Sequence, residues 1–186
     1  MSEPSDLEVV KRIAEGDRRA FEILYSRHSG RTFKFLMRLT ENKPAAEDLT
    51  HDVFLEVWKN AAGFEGRSSV STWILSIARF KAFDARRRHR TLKEEDLPGR
   101  AEPSPEVTAM RTSTSGYMKT CLEKLTAEHR EIIDLVYFHE KSVKEAGEIL
   151  DIPEATVKTR MFYARKKLKE LLSELGDQAN AFSYGK

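Results

Sequence analysis

The side chains in this chain that could do chemistry are mostly charged, and they fall into three groups. Asp48, Asp52 and Glu56 recur every four residues, with Glu47 and His51 beside them. Arg79, Lys81, Arg86, Arg87, Arg88, Arg90 and Lys93 stand against one Asp84, a net charge of +6. Lys158, Arg160, Arg165, Lys166, Lys167 and Lys169 stand against Glu154 and Glu170, a net charge of +4. No group pairs a nucleophile with a base, supplies metal-ligand spacing or forms a glycine-rich phosphate loop, so the expected chemistry is recognition and not bond-making. Dense arginine and lysine match phosphate oxygens. Carboxylates stacked at four-residue spacing repel one another. A cationic partner would relieve that repulsion; a solvated acidic face is the simpler account from spacing alone.

The third group sits in Ser142–Leu172, SVKEAGEILDIPEATVKTRMFYARKKLKELL. Ser142 and Glu145 form the S-x-x-E capping box that opens a helix. Val143, Ala146, Ile149 and Leu150 follow at helical spacing. Asp151-Ile152-Pro153 ends that helix, and proline suits the first turn of the next. Val157, Met161, Ala164 and Leu168 form the inner stripe of the second helix, with Leu171 beyond. A short helix, a turn and a longer basic helix is the helix-turn-helix layout, in which residues near the start of the second helix reach base edges in the major groove. Glu154, Ala155, Thr156, Lys158 and Thr159 occupy those first turns, and Arg160, Phe162 and Arg165 follow. Arg165 and Lys166, further along, are expected to meet mainly phosphate.

The other two groups sit on an N-terminal run of helices. Leu7, Val10, Ile13 and Ala14 mark a first helix that Gly16 closes. Asp17 caps a long second helix with the stripe Phe21, Leu24, Tyr25, His28, Thr32, Phe35, Leu36 and Leu39. Gly30 weakens its middle and allows a bend. His28 lies on the buried stripe and reads as a packed histidine. Asn42 and Pro44 start a third helix whose inner face is Ala46, Leu49, Val53 and Val57. A polar loop, GFEGRSSVST, leads into a fourth helix starting near Ser71 or Thr72. There Trp73, Ile74, Ile77, Ala78 and Phe80 are expected to be buried, ahead of the arginine cluster.

Lys93 to about Pro105 is acidic and proline-rich and reads as a linker. Beyond it, Val107, Met110, Tyr117, Met118, Cys121, Leu122 and Leu125 suggest a helix bent around Gly116, and Thr126 caps another, AEHREIIDLVYFHE. The expected fold is all-α: two small helical domains, 1–92 and 106–175, joined by a linker at 93–105 and followed by a tail at 176–186.

Over 186 residues the charged fraction is 33% and the net charge only +2, so the segregation of charge carries more information than its sum. One cysteine excludes an internal disulfide, and no Cys/His cluster suggests zinc. No apolar run approaches membrane-spanning length and the N-terminus has no signal-peptide core. The expectation is a cytoplasmic protein with no direct membrane insertion, no cofactor, no metal, no small-molecule substrate and no enzymatic activity.

In series, AEDLTHDVFLEVW, FEGRSSVSTWI, I-A-R-x-x-A-x-D-x-x-R-R, LTAEHREIIDLVYF and SVKEAGEILDIPEATVKTRMFYARKKL resemble the bacterial extracytoplasmic-function (ECF) sigma factors, over nearly the whole chain. The resemblance implies core RNA polymerase and promoter DNA as partners, and an anti-sigma protein as regulator. It implies that the third helix docks on the polymerase clamp helices through Glu47, Asp48, Asp52, Phe54 and Trp58. It implies minus-ten recognition by Phe64, Arg67, Ser68, Trp73, Arg79, Lys81, Arg86, Arg87 and Arg90, with Phe64 to Ser71 shaping a pocket for a base pulled from the stack. The helix-turn-helix residues Glu154, Ala155, Thr156, Lys158, Thr159, Arg160, Phe162 and Arg165 would read the minus-thirty-five element. The linker would thread toward the active-site and RNA-exit region. His51, where many members have glutamine, and Phe80, where many have asparagine, depart from the family pattern. Two other readings compete. A stand-alone helix-turn-helix regulator would not need the acidic helix, and a decoy that sequesters an anti-sigma protein would not need the DNA-facing cations.

Overall fold

The structure, a computed structural model, describes residues 3–93 and 114–183, with side chains throughout except those of 89–93, 114–117, 119 and 175–183. The described residues hold helices and turns and no strand, and the chain divides into two units. The linker expected at 93–105 and the apolar positions Val107 and Met110 lie outside the described residues, except Lys93, which ends a helix.

The N-terminal unit is built on four helices. Helix α1 (Asp6–Ala14) opens with a capping box: the Glu8 amide donates to Ser5 Oγ, and the Glu8 carboxylate accepts from the Ser5 amide at 2.7 Å. Those hydrogen bonds from Ser5 hold the Glu8 carboxyl below its ordinary range. Gly16, at φ +86°, turns the chain where a side chain would be strained. Asp17 then caps α2 (Arg18–Thr40), accepting from the amides of Arg19 and Ala20. Helix α2 runs unbroken through Gly30. Leu24, Thr32, Phe35 and Leu36 of its stripe are buried and Phe21, Tyr25, His28 and Leu39 are partly covered, and the helix packs on α1, α3 (Lys43–Asn60) and α4 (Val70–Lys93). Val9, Val10, Ile13, Leu24, Phe35, Leu36, Val53, Val57 and Ile74 fill the core between them.

His28 is half-buried and its Nε2 lies 2.6 Å from Asp6 Oδ2, while Arg27 Nη1 donates to Asp6 Oδ1 at 2.8 Å. Burial disfavours charge on Asp6, yet the hydrogen bonds from Arg27 and His28 outweigh it and hold the carboxyl below its ordinary value. These bonds clamp the start of α1 to the middle of α2. Helix α4 begins one residue earlier than expected, because Ser69 Oγ accepts from the Thr72 amide and fixes the first turn at Val70. The expectation that Phe80 is buried is wrong: it is 72% exposed. Seven residues past Trp73, it falls two turns along the outward side of α4, whereas Ile74, Ala78 and Ala82 take the inward side.

Further along the chain come α5 (Thr114–Glu123), α6 (Ala127–Ile133), α7 (Val143–Leu150) and α8 (Glu154–Ser183). Thr126 caps α6 as expected. The helix does not run on to Glu140, however; Asp134–Phe138 form a π-helical turn. A π turn shifts the helical register. Tyr137 and Phe138 emerge exposed, while Asp134 and His139 turn inward with Asp134 Oδ2 and His139 Nε2 3.5 Å apart. Cys121 is fully buried, and burial raises its thiol pKa above the ordinary value. The capping box at α7 forms: Glu145 N donates to Ser142 Oγ at 3.2 Å and Ser142 N donates to Glu145 Oε2 at 3.1 Å. Asp151 takes a left-handed conformation at φ 53°, and Pro153 stands immediately before α8, which starts at Glu154. Helix α8 packs on α5 and α6 and buries Val157, Met161, Ala164 and Leu171. It continues to Ser183, so most of the tail expected from 176 is helical.

Candidate polymerase and nucleic-acid interfaces

On α3, the inward side chains Ala46, Leu49, Val53 and Val57 leave Glu47, Asp48, His51 and Asp52 exposed on the opposite side. Leu55 is exposed beside Asp48 and Asp52, an apolar contribution to this surface that periodicity alone did not flag. Glu56 is diverted from it. Its carboxylate accepts from Lys81 Nζ at 3.1 Å and Asn60 Nδ2 at 2.6 Å, and the Lys81 bond chiefly keeps its pKa below the ordinary value. Phe54, expected to touch polymerase, is instead a core residue, 1% exposed. Its ring meets Tyr25 at 4.8 Å and Phe21 at 6.4 Å between centroids, so it supports the surface from beneath. Trp58 is half-buried, edge-on to Phe21 at 5.3 Å.

The loop before α4 folds over its first turns. Phe64 stacks on Trp73 with centroids 4.6 Å apart and planes inclined by 26°. Arg67 is exposed and ion-paired with Glu65, and Ser68 is half-buried. Ser69 Oγ also lies 2.8 Å from Thr72 Oγ1 and 3.2 Å from Ser71 Oγ, so this hydroxyl cluster holds the loop against the helix. Of the expected cations on α4, Lys81 is not positioned for DNA: its side chain is 23% exposed and tied to Glu56, because its place on the helix faces α3. Arg79 lies over the Phe83 ring at 4.5 Å. Arg86, Arg87 and Arg88 are exposed at the far end, where Asp84 accepts from Arg88 and, at 2.9 Å, from Arg87. The Arg88 bond chiefly lowers the Asp84 pKa. The side chain of Arg90 lies outside those described.

On α8, Glu154, Ala155, Lys158 and Thr159 are exposed in the first turns, with Thr156 half-buried. Arg160 is partly covered and sits 3.5 Å from Glu128 of α6, a partner that the sequence did not indicate. Phe162 is exposed and meets Tyr163 edge-on at 5.3 Å. Arg165 lies over the Tyr137 ring at 5.6 Å, so the π turn supplies an aromatic support for a cation of α8. Among the described residues, no group of three or more His, Cys, Asp or Glu side chains could hold a metal, and no helix is long and apolar enough to cross a membrane.

Two family models match the chain: Sigma-70 region 2 over residues 24–91 and Sigma-70 region 4 over residues 121–170. The sigma factor CarQ of Myxococcus xanthus is 31% identical over 172 residues, covering 89% of this chain and 97% of the relative. The ECF sigma factor SigK of Mycobacterium tuberculosis is 27% identical, covering 90% and 94%, and SigX of Bacillus subtilis is 29% identical, covering 83% and 86%. Among solved structures, the sigma factor RpoE of Bartonella quintana, in complex with the anti-sigma factor NepR, aligns with a TM-score of 0.65 at 25% identity, covering 82% of this chain and 96% of that one. The CnrH structure shares the fold at a TM-score of 0.69 and 23% identity, covering 92% and 99%. With a region 2 unit and a region 4 unit in order along one chain, and relatives matched over almost their whole length, the chain belongs to the extracytoplasmic-function RNA polymerase sigma factors.

Proposed function

We propose that this sigma factor docks on core polymerase through the exposed side of α3, with Asp48 and Asp52 as its charged centre and Glu47, Leu55 and Trp58 around them. The loop at 61–69 and the outward side of α4 would engage the melted minus-ten element, with Arg86, Arg87 and Arg90 on its backbone. The first turns of α8, from Glu154 through Arg165, would read the minus-thirty-five duplex. The domains would then be 1–92 and 106–175 with a linker at 93–105, acting in the cytoplasm without catalysing a reaction themselves. The observation that carries this reading is the segregation of charge. Asp48 and Asp52 stay outward on α3, while the cations gather on α4 and α8, helices that overlap the spans matched by Sigma-70 region 2 and region 4.

We extend to this chain the kind of partner named with the Bartonella relative, an anti-sigma factor; on this chain such a protein would cover the surfaces above. The test is transcription in vitro with purified core polymerase on genomic fragments. New transcripts that need both core and this chain support the reading. Tight operator binding without polymerase, and no transcripts with it, would favour a stand-alone regulator. Failure of both, with capture of an anti-sigma protein, would favour a decoy.

A further inference from the structure

Helix α1 touches the loop that precedes α4. It packs on the 3-10 turn Ala61–Gly63, and in its own first turn Leu7 lies over Gly66. A Cβ placed on Gly66 would stand 3.5 Å from Leu7 Cδ1, and among the described residues nothing else beyond the chain neighbours would come within 4 Å. Leu7 nevertheless stays 42% exposed, so it adds little to the core that Val9, Val10 and Ile13 fill. The loop has an anchor at each end and a permissive point between. Phe64 is stacked on Trp73 at 4.6 Å, and Ser69 Oγ accepts from the Thr72 amide at 3.2 Å. Between them Gly66 sits at φ +71°, and a glycine backbone by itself selects no single conformation. The Glu65–Arg67 ion pair beside it is largely exposed and fixes little.

We infer that Leu7 is a positioning residue for promoter recognition: by bracing the Gly66 turn it holds the loop at 61–69 in the conformation that selects a base. The inference rests on the reading of that loop as part of the minus-ten surface. It adds to that surface a helix whose side chain acts through Gly66 and not on DNA. Leu7 is suited to the task because the chain just before it is tied down. Arg27 Nη1 donates to Pro4 O and to Asp6 Oδ1, both at 2.8 Å, and His28 Nε2 lies 2.6 Å from Asp6 Oδ2. The start of α1 is thereby fastened to α2, and Leu7 passes that fixed position on to the loop. A half-exposed leucine removes little apolar surface from water, so it stabilises the fold modestly. Its truncation frees the most permissive backbone position of the loop, so the loss should appear in base selectivity before it appears in stability.

The test uses the full chain assembled with core polymerase, in a selection over promoters randomised in both elements. Leu7→Ala should flatten the preference at a minus-ten position by about fivefold, part of what a good base contact supplies. The minus-thirty-five preference, and assembly with core polymerase in the absence of DNA, should not change. Leu7→Met, of similar volume, should restore the wild-type preference. In the free chain, Leu7→Ala should quicken hydrogen exchange in peptides from 61–69 and not in those from 43–60, with unchanged circular dichroism. Gly66→Ala moves the same turn by backbone strain. It should alter the same minus-ten position, and the double variant should show less than the sum of the two effects. Phe64→Ala separates this inference from the wider reading. If Phe64→Ala changes the minus-ten preference while Leu7→Ala keeps it, or weakens all sequences alike, the inference is overturned and the loop remains the reader. If neither variant changes that preference, both readings fall. Weakened assembly of Leu7→Ala with core polymerase alone would assign Leu7 to a protein contact and also overturn the inference.

Discussion

Replacing Ser142 and Glu145 one at a time separates two jobs done by one capping box. Ser142→Ala removes the hydroxyl that accepts from the Glu145 amide at 3.2 Å. An N-cap serine lost to alanine costs about 1 kcal/mol. For a unit of this size that lowers the unfolding midpoint by about 4–8 °C. Glu145→Ala should cost more. Besides releasing the Ser142 amide and hydroxyl, it takes a carboxylate oxygen away from Lys141 Nζ, 3.3 Å away, and the Lys141 side chain is only 6% exposed. Removing one partner of a buried ion pair costs about 3–5 kcal/mol, and the other contacts of Lys141 place the expectation at the lower end of that range. The readout exploits an asymmetry of the sequence. Both tryptophans, Trp58 and Trp73, belong to the N-terminal unit, so tryptophan fluorescence reports that unit while hydrogen exchange of peptides from 143–150 reports α7. Both variants should speed exchange in α7, Glu145→Ala by the larger factor, and leave the tryptophan transition in place. Equal effects of the two variants would show that Lys141 does not depend on Glu145 and refute the reasoning.

Four further outcomes are expected. Asp48→Lys combined with Asp52→Lys should abolish capture by core polymerase with unchanged helical content, because both side chains point to solvent; retained affinity in a pull-down would remove α3 as the docking surface. In a selection over randomised minus-thirty-five elements, Lys158→Ala should change the preferred bases, whereas Lys166→Ala should leave them alone and reduce the salt dependence of binding by about one phosphate contact. The Asp6 carboxyl is held below its ordinary value of 3.8 in the folded state, so its contribution to stability is complete above that pH and is lost as pH falls through the lowered value. Asp6→Asn should therefore shift the tryptophan-monitored midpoint at pH 6 and progressively less as the pH is lowered through that depressed value. Cys121, buried with a raised pKa, should react with a thiol reagent only after denaturation, and fast labelling of the native chain would contradict its placement.

Features set by local chemistry were legible from sequence. Capping residues Asp17, Asn42, Thr126 and Ser142 each mark a helix start, and the stripe Val157, Met161, Ala164 lies inward as its spacing requires. Features set by contacts between distant residues were not. Lys81 reads as one more cation in a basic run, but its partner Glu56 is 25 residues away on another helix. Arg160 likewise meets Glu128 across a helix pair. Phe54 lies in the motif that the family resemblance assigns to polymerase, and only the packing of Phe21 and Tyr25 around it shows that it works from inside. Phe80 was misplaced for a simpler reason: an aromatic residue beside Ile77 and Ala78 was taken for core although its helical angle points outward. The π turn at 134–138 has no signature in residue type, so the emergence of Tyr137 and Phe138 was invisible.

The arginines at the far end of α4 arrive with a counterion of their own. Asp84 holds both Arg87 and Arg88, so three side chains present a net charge of +1 to an approaching phosphate and not +2. Glu128 does the same for Arg160, and Glu170 for Lys167. Attraction to bulk DNA scales with the charge delivered to the backbone, so each internal carboxylate lowers the grip of the unaccompanied chain on the genome at large. A molecule that must find polymerase before it finds a promoter gains from this. Competing non-specific sites outnumber targets by roughly a million or more, and a subunit that clung to them would be sequestered before it could assemble. Removing Asp84 would strengthen attachment to every sequence alike and slow the search for the few that matter.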